Sequence, residues 1–264
     1  MIRLIALDLD NTLLDEDKTI AQDTIRALRE FQAGGGVVCL ATGRMYATAR
    51  KYMEQIGPGT VTVCFNGALV PDPFGGEPIF ESFISENIAL ELIKYSKERG
   101  LFLQFYEGDA IVVEDIEKSC RIDPDRANGM VKEIGDFMDY TPAPSPKALI
   151  ECKPEEQEMI TSELRNHFGE SVIISHSEPF LIEVTMAGAQ KANCLSALCQ
   201  KLGIAREETM ACGDNDNDLS MIKWAGLGVA VSNAVPALKA AADYVTEAPR
   251  SSGVKEAVER FCKA

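Results

Sequence analysis

The sequence predicts an α/β protein, and three features of its 264 residues lead to this fold class. Short apolar runs alternate with helical patterns at both ends of the chain, as in the βαβ units of a mostly parallel, Rossmann-like sheet. The middle of the chain instead shows strands in hairpin order with helices between them, which is typical of an α+β layer. Polar and acidic residues follow the apolar runs at both ends, which indicates that the two ends share one sheet.

We therefore predict a core domain formed by both ends of the chain, with a second domain inserted into it. The core comprises residues 1–81 and 187–264, and the inserted α+β domain comprises residues 82–186. The proline-containing segment 141–147 is interpreted as a loop inside the inserted domain, because helix and strand patterns of the same kind flank it.

The elements follow from apolar periodicity and from glycines that end helices. The first part of the core is predicted to contain strands at 4–9, 37–41 and 61–65 and helices at 20–32 and 44–56. The inserted domain is predicted to contain helices at 86–99, 124–134 and 155–168 and strands at 101–106, 110–114, 148–152, 172–175 and 180–184. The last part is predicted to contain helices at 189–202, 216–225, 236–242 and 254–262 and strands at 209–213, 227–231 and 244–246.

Composition excludes several classes of partner. The net charge of −15 repels nucleic acid and anionic membrane, so neither is expected to bind. Strongly apolar runs are short or interrupted by charges, so we expect no signal peptide or membrane span, and the cytoplasm is the default location.

The eight cysteines form no CxxC pair and are expected to be reduced core residues. Monomer and dimer both remain open.

Two aspartates stand at the carboxyl end of the first apolar run. Side chains of a strand alternate, so Asp8 and Asp10 are expected to point the same way and to lie close together. Two like charges this close disfavour each other's ionisation. The pair either caps the turn that follows, or it serves a cation or a reaction that needs two carboxylates.

Other polar residues follow the strands that are predicted to neighbour the first one. Thr42, Gly43 and Arg44 follow the second strand, and Asn66 and Gly67 follow the third. In open parallel sheets, binding sites form outside the carboxyl ends of the strands. A hydroxyl followed by a glycine amide at the start of a helix is suited to an anion.

The stretch GDNDND, residues 213–218, places three aspartates where a helix begins. Capping of the helix explains one or two of them, because Asp and Asn suit amino-terminal turns. Together with Asp8 and Asp10, Asp214 and Asp218 predict a hard divalent cation with oxygen ligands. Mg²⁺ fits best, because it is held by few carboxylates and is completed by water and a substrate phosphate.

Four short stretches in this order resemble the haloacid dehalogenase-like (HAD) superfamily. They are DLDNTLL, ATGR with a following NGA, the lysine of AQKANCL and GDNDNDLSM. More narrowly, the chain resembles the Cof-type phosphatases, which carry a large C2-type cap inserted after the third strand and select substrates with it. The resemblance extends from residue 2 to the carboxyl terminus and is weakest across the middle.

The resemblance implies a mechanism and a metal. Asp8 would be the nucleophile that attacks phosphorus, and Asp10 would be the general acid and then the general base. A magnesium ion would be bound by Asp8, by the main-chain carbonyl of Asp10 and by Asp214. Asp218 would steady the metal and Lys191.

The resemblance also implies residues that bind the substrate. Thr42, the amide of Gly43 and Lys191 would hold the phosphoryl oxygens, where charge must be stabilised during transfer. Asn217 would contact the substrate, and Asn66 and Gly67 would line the entrance to the site.

Two positions depart from the family pattern. Asn11 stands where many relatives have glycine, and asparagine easily adopts a left-handed backbone, so the turn is expected to form. Arg44 is predicted either to contact the substrate or simply to begin a helix. The segment 247–253 is assigned no role.

These residues predict a magnesium-dependent phosphatase that acts on a small phosphorylated metabolite through an aspartyl-phosphate. Sugar phosphates, phosphoglycolate, nucleotide monophosphates and pyridoxal phosphate are all candidate substrates. A sugar-phosphate phosphomutase is an alternative enzyme. A receiver-like signalling module is an alternative from another class, because it also places an acidic pair, a threonine and a lysine on a parallel sheet; chain length and the inserted segment argue against it.

Overall fold

A computed structural model describes residues 1–73, 75–119 and 130–262. The chain divides into two compact units, one formed by Met1–Phe80 with Gln190–Ala264 and one formed by Glu81–Ala189. Each unit has a hydrophobic cluster of its own. The second unit is thus an insertion into the sequence of the first.

The chain up to residue 81 alternates strands and helices. Its elements are β1 (Leu4–Leu7), α1 (Gln22–Ala33), β2 (Val37–Ala41), α2 (Tyr46–Ile56), β3 (Val61–Val63) and a short two-stranded ribbon of β4 (Leu69–Val70) and β5 (Phe80–Glu81). Every residue of β1 is buried, as expected for a strand in the middle of a parallel sheet. Gly57 ends α2 with a φ of 140°, a backbone angle that disfavours other residues.

The second unit contains a six-stranded sheet and two long helices. Its further elements are α3 (Glu86–Arg99), β6 (Phe102–Glu107), β7 (Ala110–Val113), β8 (Val131–Glu133), β9 (Ala148–Glu151), α4 (Gln157–Phe168), β10 (Val172–Glu178) and β11 (Leu181–Met186). The strand order is β10-β11-β9-β6-β7-β8. Neighbouring strands are antiparallel except β7 and β8, which are parallel, so the sheet is mixed.

The last part of the chain completes the sheet of the first unit. Its elements are α5 (Lys191–Leu202), β12 (Thr209–Gly213), α6 (Leu219–Trp224), β13 (Leu227–Ala230), α7 (Pro236–Ala241), β14 (Tyr244–Val245) and α8 (Arg250–Phe261). The six parallel strands have the order β14-β13-β12-β1-β2-β3. Because β1 lies between β12 and β2, the loops after these strands share one edge of the sheet, where ligands bind in such folds.

The predicted fold class is confirmed: a parallel α/β core carries an insertion with a separate sheet. Two elements differ from the prediction. Val131–Glu133 is a strand because it pairs with β7, and residues 124–129 of the helix predicted at 124–134 lie outside the described residues. The last helix begins at Arg250 rather than near residue 254. The serines near Arg250 gave no sequence signal for the start of a helix. In the structure, Ser251 is buried and its Oγ accepts a hydrogen bond from the amide of Ala21 (3.0 Å).

Two expectations from composition can be compared with the described residues. Seven of the eight cysteines lie in the described residues and form no disulfide with one another, six of them buried and Cys262 half-buried, while Cys120 lies outside the described residues. No helix in the described part of the chain has both the length and the apolar character needed to cross a bilayer.

Candidate active site

The site is built around the sharp turn that follows β1. Asp8 is 5% exposed and begins the turn, and its carbonyl accepts a hydrogen bond from the amide of Leu13 (3.2 Å). Asn11 has a φ of 61°, so the left-handed turn predicted for this asparagine is present. The turn lets the carboxylates of Asp8 and Asp10 follow a buried strand without entering the hydrophobic core.

A buried lysine joins two carboxylates from distant parts of the sequence. Lys191 begins α5 and is 1% exposed, and its Nζ lies 2.6 Å from Asp8 Oδ1 and 2.6 Å from Asp218 Oδ1. Burial alone would lower the pKa of Lys191, but the charges of Asp218 and Asp8 outweigh burial and raise it. The ammonium therefore stays charged inside the protein.

Asp218 is held by the backbone of the loop after β12. Its Oδ2 accepts hydrogen bonds from the amides of Asp214 (2.9 Å) and Asn215 (3.2 Å). A Cβ at Gly213 would lie 2.5 Å from the Cβ of Asp218, so this position requires glycine. With Lys191 on its other oxygen, Asp218 is fixed at both ends of its carboxylate.

Asp8, Asp214 and Asp218 form a buried acidic cluster. One carboxylate oxygen of each lies within 4.8 Å of the others. Burial and the neighbouring carboxylates raise the pKa of Asp8 well above its usual range, against the opposing charge of Lys191. Burial and Asp218 likewise raise the pKa of Asp214 to about 6.

The acidic cluster fits a divalent cation. Three carboxylates share the single ammonium of Lys191, which leaves excess negative charge in a buried place. Oxygen donors are the ligands that hard cations such as Mg²⁺ prefer. Asp214 is oriented for this by Thr12, whose Oγ1 donates a hydrogen bond to Asp214 Oδ1 (2.8 Å).

The side chain of Asp10 lies outside this cluster and is bound by two cations. Arg44 donates from Nε to Oδ2 (2.8 Å) and from Nη2 to Oδ1 (2.7 Å), and Lys18 Nζ lies 3.1 Å from Oδ1. Burial would raise the pKa of Asp10, but the Arg44 guanidinium outweighs it and, with Lys18, holds that pKa well below its usual range. Asp10 is therefore an ionised carboxylate in this structure.

The loops after β2, β3 and β12 are joined by hydrogen bonds. The hydroxyl of Thr42 accepts from the amide of Arg44 (3.1 Å), and the carbonyl of Thr42 accepts from the amide of Asn66 (3.0 Å). Asn217 Nδ2 donates to Asn66 Oδ1 (3.1 Å). A Cβ at Gly43 would lie 2.9 Å from Asn66 Oδ1. The residues predicted from the strand ends thus lie at one edge of the sheet.

Gly67 lies against the start of the helix that carries the lysine. Its φ is 105°, and a Cβ there would lie 2.4 Å from the carbonyl carbon of Gln190. Its carbonyl accepts a hydrogen bond from Cys194 Sγ (2.8 Å). The structure thus gives Gly67 a packing function, because it permits the start of α5 to approach the loop after β3.

Sequence reasoning missed several residues of the site. Thr12 follows Asp10 closely in the sequence, and its hydroxyl in a polar turn beside an acidic pair could have indicated it. Lys18 and Tyr52 have no comparable pattern, because the fold alone brings them to Asp10 and Arg44.

The segment 247–253, which was assigned no role, supports the turn after β1. Asn233 Nδ2 donates to the carbonyl of Asn11 (2.8 Å), and Asn233 Oδ1 accepts from the amide of Arg250 (2.9 Å). Thr24 Oγ1 donates to the carbonyl of Ser251 (2.9 Å), which links α8 to α1. The carboxyl-terminal helix therefore connects to the backbone that follows Asp8 and Asp10.

The inserted unit carries a group of buried polar side chains on one face of its sheet. Gln104 and Glu183 both pair with Leu149 across β6, β9 and β11, so they share a face. Lys147 Nζ lies 3.4 Å from Glu183 Oε2, and Gln104 Nε2 lies 3.2 Å from Tyr106 Oη. Gln104 Oε1 is buried and has no hydrogen-bond partner among the described residues. A buried amide oxygen of this kind favours a ligand that donates a hydrogen bond.

Comparison with known sequences matches this architecture to one family. The sequence model of the haloacid dehalogenase-like hydrolases matches residues 5–258. The chain is 31% identical over 267 residues to the 5-amino-6-(5-phospho-D-ribitylamino)uracil phosphatase YitU of Bacillus subtilis, covering 98% of this chain and 97% of that protein. It is 29% identical over 262 residues to the phosphoglycolate phosphatase of Methanothermobacter thermautotrophicus, covering 98% of this chain and 99% of that protein.

A solved structure shows the same fold over the whole chain. The crystal structure of a haloacid dehalogenase-like hydrolase from Bacteroides thetaiotaomicron superposes with a TM-score of 0.87 at 32% identity, covering 99% of this chain and 100% of that one. The architecture described above is therefore shared along its full length.

Replacing Lys191 by Met should destabilise the protein strongly. Asp8 and Asp218 would remain buried without their cation, and breaking such a pair lowers the free energy of unfolding by about 3–5 kcal/mol. Lys201→Met is the control, because Lys201 lies in the same helix with a side chain that is 54% exposed, and it should change that free energy by about 0.5 kcal/mol or less. Urea unfolding in the presence of chelator measures both. Equal stability of the two variants would contradict the claim that Lys191 holds the carboxylates together.

Proposed function

Because the chain belongs to the family of haloacid dehalogenase-like hydrolases and is a phosphatase of that family, we propose that it hydrolyses phosphomonoesters through an aspartyl-phosphate on Asp8. The observation that carries this proposal is the 2.6 Å bond between Asp8, at the carboxyl end of β1, and the buried ammonium of Lys191. An anionic phosphate can approach a carboxylate only where cations offset their repulsion. Lys191 provides such a cation beside the attacking oxygen.

In the first step, the Asp8 carboxylate attacks phosphorus. A bond forms between an Asp8 oxygen and phosphorus while the ester P–O bond breaks, and the departing alkoxide takes a proton from Asp10. The product alcohol leaves, and phosphate stays on Asp8 as an acyl phosphate. Asp10 is then a carboxylate, the form that its ion pair with Arg44 favours.

In the second step, water hydrolyses the acyl phosphate. Asp10 removes a proton from the water as its oxygen bonds to phosphorus, and the bond between phosphorus and Asp8 breaks. Inorganic phosphate leaves, Asp8 is again a carboxylate, and Asp10 again carries the proton needed for the next alcohol. One acid–base residue therefore serves both halves of the reaction.

The phosphoryl oxygens are bound by groups in the loop after β2 and at the start of α5. The Thr42 hydroxyl and the Gly43 amide lie at the start of the loop after β2, and Lys191 contributes its ammonium. Phosphoryl transfer spreads negative charge over these oxygens, so fixed donors there stabilise the transition state more than the bound substrate. Asn217 and Asn66, which bond to each other, contact the substrate beyond the phosphate.

The acidic cluster is suited to Mg²⁺. Asp8, Asp214 and the main-chain carbonyl of Asp10 would hold the ion, and Asp218 would keep Asp214 and Lys191 in place through its own hydrogen bonds. When bound, Mg²⁺ supplies positive charge that offsets the carboxylates and the phosphoryl group.

The substrate is proposed to be the phosphate ester of a small polar alcohol, such as a sugar phosphate or phosphoglycolate. One relative is named for a phosphoribitylamino-uracil and another for phosphoglycolate, and both are about equally similar to this chain. Choice among esters is assigned to the inserted unit. Its buried polar group of Gln104, Tyr106, Lys147 and Glu183 has the donors and acceptors needed to recognise hydroxyl groups.

Chelation should abolish activity toward an aryl phosphate, and Mg²⁺ should restore it. Asp214→Asn should raise the Mg²⁺ concentration for half-maximal rate by about tenfold or more, because it removes one ligand charge. Asp216→Asn is the control, since Asp216 is exposed in the same loop. Full activity of metal-free protein in chelator would contradict the metal assignment.

The roles of Asp8 and Asp10 should be distinguished by how the loss of activity in each variant depends on the leaving group of the ester. Asp8→Asn lacks the nucleophile and should be inactive toward both alkyl and aryl phosphates. Asp10→Asn should lower kcat by about 10²–10⁴-fold with an alkyl phosphate, but much less for the first step with an activated aryl phosphate, which needs no proton to depart. Asp17→Asn, in the exposed part of the same loop, is the control.

Phosphate release measured without any bisphosphate activator separates this proposal from a phosphomutase. Hydrolysis that required a bisphosphate would favour the mutase. An active Asp8→Asn enzyme, shown to be free of contaminating phosphatase, would contradict the role of Asp8.

Substitution in the polar group of the inserted unit should change the preference among esters. Gln104→Leu should lower kcat/KM for the preferred polar ester about tenfold more than for an aryl phosphate, because one hydrogen bond to the alcohol is lost. Glu98→Gln, on the exposed face of α3, is the matched control. A panel of phosphomonoesters measures the ranking, and an unchanged ranking in Gln104→Leu would contradict the assignment.

A further inference from the structure

Asp10 forms a bidentate ion pair with Arg44, and this pair has no part in the reaction steps described above. Arg44 donates from Nε and Nη2 to the two carboxylate oxygens of Asp10, at 2.8 and 2.7 Å. Two parallel bonds between planar groups fix the carboxylate in position and in orientation. The Arg44 side chain is only 9% exposed, compared with 29% for Asp10, so the arginine is the more deeply anchored partner.

Two more residues complete this arrangement. Lys18 Nζ binds Asp10 Oδ1 at 3.1 Å, and the carbonyl of Lys18 accepts a hydrogen bond from the Tyr52 hydroxyl at 3.2 Å. Tyr52 is 1% exposed, and its ring centre lies 5.4 Å from the guanidinium carbon of Arg44. A single buried tyrosine therefore contacts the guanidinium of Arg44 with its ring and the backbone of Lys18 with its hydroxyl.

This geometry distinguishes two functions for Arg44. An arginine that binds phosphate uses its forked donors on the phosphate oxygens. Here the fork of Arg44 is directed at Asp10, and the main-chain amide of Arg44 is bound to the Thr42 hydroxyl at 3.1 Å. Nearly full burial of the side chain leaves little of it accessible to a substrate.

We propose that Arg44, supported by Lys18 and Tyr52, is a positioning residue that orients the Asp10 carboxylate for proton transfer, and that it is not a ligand of the substrate phosphate. The inference rests on the proposed function, in which Asp10 exchanges protons with the leaving alcohol and with water. Proton transfer requires the donor and acceptor atoms within hydrogen-bond distance and in line, so a misplacement of about 1 Å lowers the rate by about 10²-fold.

The test measures kcat and KM of Arg44→Gln with one alkyl and one activated aryl phosphate. A positioning role predicts a fall in kcat of about 10²-fold with the alkyl ester, a loss several-fold smaller for the first step with the aryl ester, and a KM within about threefold of wild type. Arg44→Lys should recover only part of the rate, because an ammonium keeps the charge but not the fork. Arg50→Gln, in α2 shortly after the loop that carries Arg44 and with a 64% exposed side chain, is the control and should behave as wild type.

A double-mutant cycle with Asp10→Asn makes the test specific. If Arg44 acts through Asp10, then Arg44→Gln should lower the residual rate of Asp10→Asn by no more than about twofold, although it lowers that of wild type strongly. A direct contact with phosphate would instead raise KM, affect both esters equally and add its full effect to that of Asp10→Asn. Any of these three results would overturn the inference.

Two further measurements keep the result interpretable. Circular dichroism and urea unfolding verify that each variant is folded. Tyr52→Phe removes only the hydroxyl bound to Lys18. Its loss of kcat should depend on the leaving group in the same way as that of Arg44→Gln but should be smaller. Equal losses for both esters in Tyr52→Phe would count against the inference even if Arg44→Gln failed to fold. Failure of the proposed function is distinct, because it would appear as an active Asp8→Asn protein, whatever Arg44 does.

Discussion

The arrangement of the site depends on one buried ammonium placed between two carboxylates. Lys191 lies 2.6 Å from both Asp8 and Asp218, and all three side chains are almost completely buried. Removing such charges from water is costly, and their mutual attraction offsets this cost only when the geometry is good. The fold meets this condition by bringing together the end of β1, the start of α5 and the loop after β12.

Several features of the core follow from this constraint. Gly213 must lack a side chain because Asp218 lies where its Cβ would be, and Gly67 must lack one because the start of α5 approaches it. The excess charge of the acidic cluster in turn is suited to a divalent ion. The cations at Asp10 serve a different purpose, since they surround a carboxylate outside the cluster. Two neighbouring aspartates therefore have different environments, since Asp8 lies in the acidic cluster beside Lys191 and Asp10 lies between Arg44 and Lys18.

The sequence indicated the parallel core, the insertion and the strand ends that meet at one edge, because apolar periodicity and polar residues after each strand are local patterns. It could not indicate contacts that arise from folding alone. The bond from Tyr52 to Lys18 and the bond from Arg44 to Asp10 each join residues 34 positions apart, and no motif links them. The strand Val131–Glu133 is too short for its alternation to be distinguished from a helix. The early start of the last helix depends on buried contacts of Ser251, which propensity alone does not reveal.

Locating the phosphate that the enzyme carries during turnover tests the central claim most directly. Wild-type protein mixed with substrate and Mg²⁺ would be quenched in acid within the first turnover, reduced with borohydride and digested, and the peptides would be examined by mass spectrometry. Acyl phosphates are reduced by borohydride to the alcohol, so the account predicts homoserine at position 8 in the peptide that contains it, with Asp10 and Asp214 unmodified. Modification at another residue, or none in enzyme that is demonstrably turning over, would contradict it.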